Sequence, residues 1–130
     1  MKNKFILFLA AVVILGAIYA IFSRNSTATY PDDQADFIIF WGQGCPHCEV
    51  LKDEIAQNKW DQKLKFSLKE VYYNRQNQDL LKKTITDNCP DIPSDQVGVP
   101  MTFETATKRC FVGDTPAINR ISERLSSESQ

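Results

Sequence analysis

Apolar and polar positions follow a different rhythm in successive stretches of the chain. Residues 5–22 are an unbroken apolar run with no charge. Phe37 to Trp41 is a second, shorter run, rich in β-branched and aromatic residues, and reads as a buried strand. After Gly42 and Gly44 the period changes. Val50, Leu51 and Ile55 recur at helical spacing, with Lys52, Asp53 and Lys59 elsewhere on the surface. Residues 65–73 return to rough alternation at Phe66, Leu68 and Val71, which predicts a second strand. Asn74 to Asn88 predicts a helix with Leu80, Leu81 and Ile85 inward. Cys89 to Asp95 is turn-rich, and Pro90 and Pro93 block helix continuation. Met101–Thr105 and Arg109–Val112 predict a hairpin across residues 106–108. Thr115 as N-cap and Pro116 at the first position open a last helix, with Ile118, Ile121 and Leu125 inward. The predicted order is β-α-β-α-β-β-α, with residues 127–130 as a fraying tail.

The first apolar run has its own reading. Its eighteen residues (5–22), as a helix, are just long enough to span a hydrocarbon core. Lys2 and Lys4 in front predict a cytoplasmic N-terminus, with the rest of the chain outside. Residues 1–24 are therefore expected to be a transmembrane or signal-anchor segment. The competing reading is a signal peptide cut after Ala20, for which Ile18 suits the −3 position poorly; the protein would then be secreted. No cysteine lies near the end of the run to support lipidation. Residues 25–36 have little apolar content and read as a linker, and residues 37–126 as one domain.

Charge narrows the function. The chain holds 15 Lys+Arg and 16 Asp+Glu, and three of the cations (Lys2, Lys4, Arg24) precede residue 25. The remainder carries 12 cations against 16 acids, a net of −4. That argues against nucleic acid as a partner, which would call for a basic face. Four cysteines in a short, exported-looking chain fit an oxidising compartment, periplasmic or cell-surface.

The candidate chemistry sits at the junction of the second apolar run and the helix behind it. Cys45 and Cys48 enclose Pro46 and His47. Residues three apart at a helix start lie on one face, so two sulfurs come within bonding distance. The first cysteine occupies the end where unpaired N–H groups and the helix dipole favour an anion. Its pKa is expected to fall into the range of roughly 3.5–7.5. Pro46 suits the first turn, because the N–H it lacks would have no partner there. A protonated His47 would lower the Cys45 pKa further. Stabilising the thiolate form makes the disulfide a stronger oxidant.

Phe40-Trp41 ahead of Cys45-Pro46-His47-Cys48 resembles the thioredoxin superfamily, and the tetrad itself resembles that of the DsbA-type disulfide oxidases of the bacterial periplasm. Gly98-Val99-Pro100-Met101-Thr102-Phe103 resembles that family's cis-proline loop. The resemblance covers about residues 35–126. It implies an α/β thioredoxin-like fold, a central mixed β-sheet flanked by helices, here behind the N-terminal membrane segment. It implies Cys45 as nucleophile and Cys48 as resolving thiol. Val99 and Pro100 would lie against the dithiol, with Val99 backbone groups free to pair with an extended substrate. It implies no cofactor and no metal. One departure stands out: the buried acid common six residues before the first cysteine is Ile39 here. Cys48 would then exchange protons through water or another group, with Glu49 and Glu54 as candidates.

The expected function is extracytoplasmic thiol–disulfide exchange with protein substrates, with oxidation or isomerisation favoured by Pro46-His47. A reoxidising partner of the DsbB or vitamin-K-epoxide-reductase type follows from the resemblance. The alternatives are a reductase for cytochrome or metal-centre assembly, a metal-binding module using Cys45, His47 and Cys48, and a redox-inert domain. Cys89 and Cys110 lie outside the shared motif. They read as a structural disulfide, as free thiols, or as a second exchanging pair.

Overall fold

A computed structural model describes residues 10–17 and 29–128. From residue 37 the chain runs β1 (Phe37–Trp41), α1 (Pro46–Gln57), β2 (Phe66–Glu70), α2 (Arg75–Asn88), β3 (Met101–Glu104), β4 (Arg109–Val112) and α3 (Asp114–Glu128). Short 3-10 turns cover Trp60–Gln62 and Ser94–Gln96. The strands form one mixed sheet in the order β2-β1-β3-β4. β1 runs parallel to β2 and antiparallel to β3, and β4 is antiparallel to β3.

The alternation along β1 divides the core. Phe37 and Ile39 face one side, where they pack with Leu51 and Ile55 of α1 and Ala117 and Ile121 of α3. Ile38 and Phe40 face the other, with Leu81 and Ile85 of α2. A strand buried on both faces must be apolar throughout, which is why β1 reads as a continuous run. Phe37 stacks on Phe66, its partner in the parallel register, with centroids 5.9 Å apart; such a pair adds about 0.5–1.5 kcal/mol beyond burial.

The expected fold class, a thioredoxin-like fold with an N-terminal transmembrane or signal-anchor helix, requires correction. The described chain is a small α/β unit built on a four-stranded mixed sheet. Among the described residues no helix is long and apolar enough to cross a membrane. Residues 1–9 and 18–24 of the expected segment lie outside the described residues.

The expected linker divides similarly. Residues 25–28 lie outside the described residues, whereas 29–36 run along the outer edge of β2. Tyr30 N–H donates to the Phe66 carbonyl at 2.9 Å, and the Asp36 carboxylate accepts from Lys65 N–H at 2.8 Å. Ala35 is buried in the core. These contacts occupy donors and acceptors that an edge strand would otherwise expose.

Two side-chain placements differ from the helical and alternating patterns. Val50 is exposed, and the buried positions of α1 are Cys48, Leu51 and Ile55. β2 stops at Glu70 rather than at Tyr73, because the Glu70 carboxylate turns back to accept from Tyr72 N–H (2.8 Å) and Tyr73 N–H (3.0 Å). A side chain that satisfies the following backbone competes with the sheet ladder.

Two long-range ties hold the last elements. Cys89, at the end of α2, is disulfide-bonded to Cys110 of β4, with Cα atoms 6.1 Å apart. The loop closed is 21 residues, for which chain entropy gives about 3 kcal/mol. On the other face Glu104 of β3 is buried and accepts from Arg120 Nε and Nη2 of α3, both at 3.0 Å, and from the Thr107 hydroxyl. Burial pushes the Glu104 carboxyl up, but the Arg120 and Thr107 hydrogen bonds outweigh it and leave it below its ordinary value.

Replacing both Cys89 and Cys110 by alanine should lower the unfolding free energy by about 3 kcal/mol, measured by urea denaturation. Glu104→Gln should cost about 3 kcal/mol at neutral pH by leaving Arg120 without its buried carboxylate. Because the folded carboxyl is depressed, that contribution is complete above the ordinary carboxylate pKa of about 4.3. It is lost as pH falls through the lower folded value. The gap between wild type and variant should therefore narrow in acid; a constant gap would show that the Glu104 charge does not contribute.

Candidate functional site

The dithiol is built by the turn that ends β1 and begins α1. Gly42 is buried against Tyr72, and a β-carbon there would meet the Tyr72 ring at 2.4 Å. Gly44 has φ +78°, a left-handed conformation that glycine adopts without a steric penalty. The turn closes with Cys45 N–H donating to the Gly42 carbonyl at 3.2 Å. Gln43 N–H makes a longer bond, 3.4 Å, to the same Glu70 carboxylate that ends β2. Four backbone N–H groups, including that of Asn74, thus draw on Glu70; burial raises its carboxyl pKa, and these bonds together bring it below the ordinary value.

Cys45 is the N-cap of α1, with extended backbone (φ −83°, ψ 112°). Its sulfur accepts from Cys48 N–H at 3.2 Å, the place a serine or aspartate oxygen takes in an ordinary cap. Pro46 follows at the first helical position. Cys45 and Cys48 form a disulfide with Cα atoms 5.3 Å apart. Cys45 retains 6% exposure and Cys48 1%. Of this pair, Cys45 is the less enclosed.

The second predicted segment lies against the first. The Val99 carbonyl oxygen is 3.6 Å from the Cys45 sulfur. Val99 is half-buried, Pro100 is buried, and the bond between them is cis. The Pro100 carbonyl accepts from Gly113 N–H at 2.8 Å, which joins this loop to the turn before α3. Residues fifty positions apart in sequence thus converge on one rim, with exposed Pro46 and His47 on its outer side.

His47 has a carboxylate partner. Its Nδ1 is 3.0 Å from Asp114 Oδ2, and the side chain is 72% exposed. A protonated ring there would share its charge with that carboxylate. The His47 hydrogen bond, followed by that from Thr115 N–H, holds the Asp114 carboxyl below its ordinary value. Asp114 escaped the sequence reading, which took Gly113-Asp114-Thr115-Pro116 only as a helix start. Helix α3 begins at Asp114 itself, and its Oδ1 accepts from Thr115 N–H at 2.7 Å.

Neither carboxylate proposed to exchange the Cys48 proton is engaged with it. Glu49 pairs with Lys52 at 2.8 Å, and Glu54 accepts from Asn58 Nδ2 at 2.8 Å. Cys89 and Cys110 are disulfide-bonded to each other and pack in the core beside α2, across the sheet from α1. A cavity of about 670 Å³ lined by Val71, Leu81, Ile85 and Val97 also lies on that side. Among the described residues no group of three or more His, Cys, Asp or Glu side chains is placed to hold a metal ion.

No family model, curated protein or solved structure matches the chain. The site is therefore described by its own geometry: a disulfide at a helix N-terminus, faced by a cis-proline loop and bordered by a histidine–carboxylate pair. An arrangement of this kind accepts a nucleophile at its outer sulfur and releases the inner one as leaving group.

His47→Ala should return the Asp114 carboxyl upward toward its ordinary pKa, because the hydrogen bond that depresses it is lost. A carbon-13 NMR pH titration of Asp114 reads this; an unchanged value would mean that the pair does not form in solution.

Proposed function

We propose that this protein is a thiol–disulfide oxidoreductase that oxidises protein thiols through Cys45–Cys48. The observation carrying the reading is the Cys45 sulfur at the N-cap of α1, accepting the Cys48 N–H. Kinship of the Cys-Pro-His-Cys tetrad and the Gly-Val-Pro segment with the thioredoxin superfamily, and with its DsbA-type members, is part of the proposal.

A substrate thiolate attacks Cys45 Sγ in line with the disulfide. A new sulfur–sulfur bond forms, and Cys48 leaves with the electron pair. A second substrate thiolate attacks the substrate sulfur of the mixed disulfide and expels Cys45. The substrate has lost two electrons and carries a disulfide, and the site is a dithiol. The helix N-terminus stabilises the departing Cys45 thiolate, which favours this direction. Val99 presents its backbone beside the sulfur, where an extended substrate segment would pair by strand addition. His47, tied to Asp114, adjusts the local charge and transfers no proton.

A second disulfide at Cys89–Cys110 supports an oxidising, extracytoplasmic location. A catalyst that surrenders its disulfide requires reoxidation. A quinone-linked membrane enzyme of the DsbB or vitamin-K-epoxide-reductase type is the proposed partner.

Oxidised wild-type protein should form disulfides in a reduced, unfolded protein substrate, and Cys45→Ser should abolish this entirely. Offered a substrate that already carries a disulfide, Cys48→Ser should accumulate the mixed disulfide through Cys45, because the released substrate thiolate is the leaving group and no Cys48 thiol resolves the product; mass spectrometry reads it. Equilibration with a glutathione series should place the dithiol well above the thioredoxin potential of about −270 mV. A value at or below it would overturn the oxidase direction, and activity surviving Cys45→Ser would overturn the site.

A further inference from the structure

Thr102 presents a hydroxyl that the fold leaves without a partner. The residue is fully buried, and among the described residues its Oγ1 is the buried side-chain oxygen or nitrogen with no hydrogen bond. Burying an unsatisfied hydroxyl costs about 1–3 kcal/mol, and valine would fill the same space without that penalty. The hydroxyl is thus a donor without an acceptor in the disulfide form, available to another state of the site.

Its placement indicates which state. Thr102 lies directly opposite Ile39 in the β1–β3 register, so the two side chains share a face of the sheet. Ile39 faces α1, packing with Leu51 and Ile55. Cys48 is the third buried residue of that helix. Thr102 is also two residues beyond Pro100, and the Val99 carbonyl just before Pro100 meets the Cys45 sulfur. Thr102 thus lies on the sheet face that α1 and α3 together cover. The apolar groups of that layer include Phe37, Ile39, Leu51, Ile55, Ala117 and Ile121, and the buried Glu104 two residues along β3 is already engaged by Arg120.

Cys48 has the complementary need. When a thiolate attacks Cys45, the disulfide electron pair passes to Cys48 Sγ, which becomes an anion at 1% exposure. Water cannot solvate it, and a thiolate among apolar groups is strongly disfavoured. We infer that the Thr102 hydroxyl is the positioning donor for the Cys48 sulfur in the reduced site, orphaned when the disulfide forms and paired when it opens. It donates a hydrogen bond and keeps its proton. This rests on the exchange reading above and adds to it a group that drives the site toward reduction, strengthening the disulfide as an oxidant.

The test uses the full chain with Thr102→Val, which removes the hydroxyl at nearly constant volume, and Thr102→Ser, which keeps it. In a Cys45→Ala background the Cys48 thiolate is titrated by its ultraviolet absorbance. Thr102→Val should raise the Cys48 pKa by about one unit, tenfold in acidity, and Thr102→Ser should leave it unchanged. With both cysteines present, Thr102→Val should make the disulfide about tenfold harder to reduce by glutathione, about 30 mV more negative. Thr102→Ala serves as the second hydroxyl deletion should valine repack the layer. An unmoved Cys48 pKa in both deletions, or an equal shift in Thr102→Ser, would overturn the inference. A wild-type dithiol that fails to equilibrate with glutathione would instead overturn the exchange reading, while the Cys48 titration still decides the role of Thr102.

Discussion

One capping interaction underlies the site: the Cys48 N–H directed at the Cys45 sulfur where α1 begins. An N-cap acceptor ordinarily serves the helix, satisfying a donor that has no partner within it. Here the acceptor is a sulfur that can also be attacked. The same N–H group and the same dipole that stabilise the helix start stabilise the sulfur when it carries charge. Helix stability and thiol acidity are therefore coupled through a single atom.

The surrounding structure holds that atom in place. β1 is buried on both faces, so its end is fixed. Glu70 gathers the backbone N–H groups of the turn and of the β2 end. The Gly113 N–H holds the Pro100 carbonyl, and the buried Glu104–Arg120 pair fixes α3 on β3. Rigid elements thus surround a pair of sulfurs, one at the rim and one beneath it.

Much of this was legible in the chain, where local chemistry and tertiary context agree. The run Phe37 to Trp41, the glycines after it and the Cys45–Cys48 spacing each specify strand, turn and helix start independently. Val99-Pro100 was readable only by resemblance, since nothing local says which distant segment it meets. Other features depended on contacts that sequence does not display. Val50 looks like a core residue by spacing yet lies outside the buried face, because Cys48 takes its place in the stripe. Asp114 reads as a helix-start acid until His47 is brought beside it. Thr102 reads as an ordinary strand residue, and its missing partner appears only in three dimensions. The apolar run at residues 5–22 suggested a membrane helix by length alone. Among the described residues no helix is long and apolar enough to cross a membrane.

The most direct measurement is the acidity of Cys45 in the reduced protein, read from the pH dependence of its alkylation rate. The account predicts a pKa below about 7.5, the upper end for helix-capping thiols. A value near the ordinary thiol pKa of about 8.5 would show that the helix start does not stabilise the sulfur, and would contradict the assignment of Cys45 as the exchanging group.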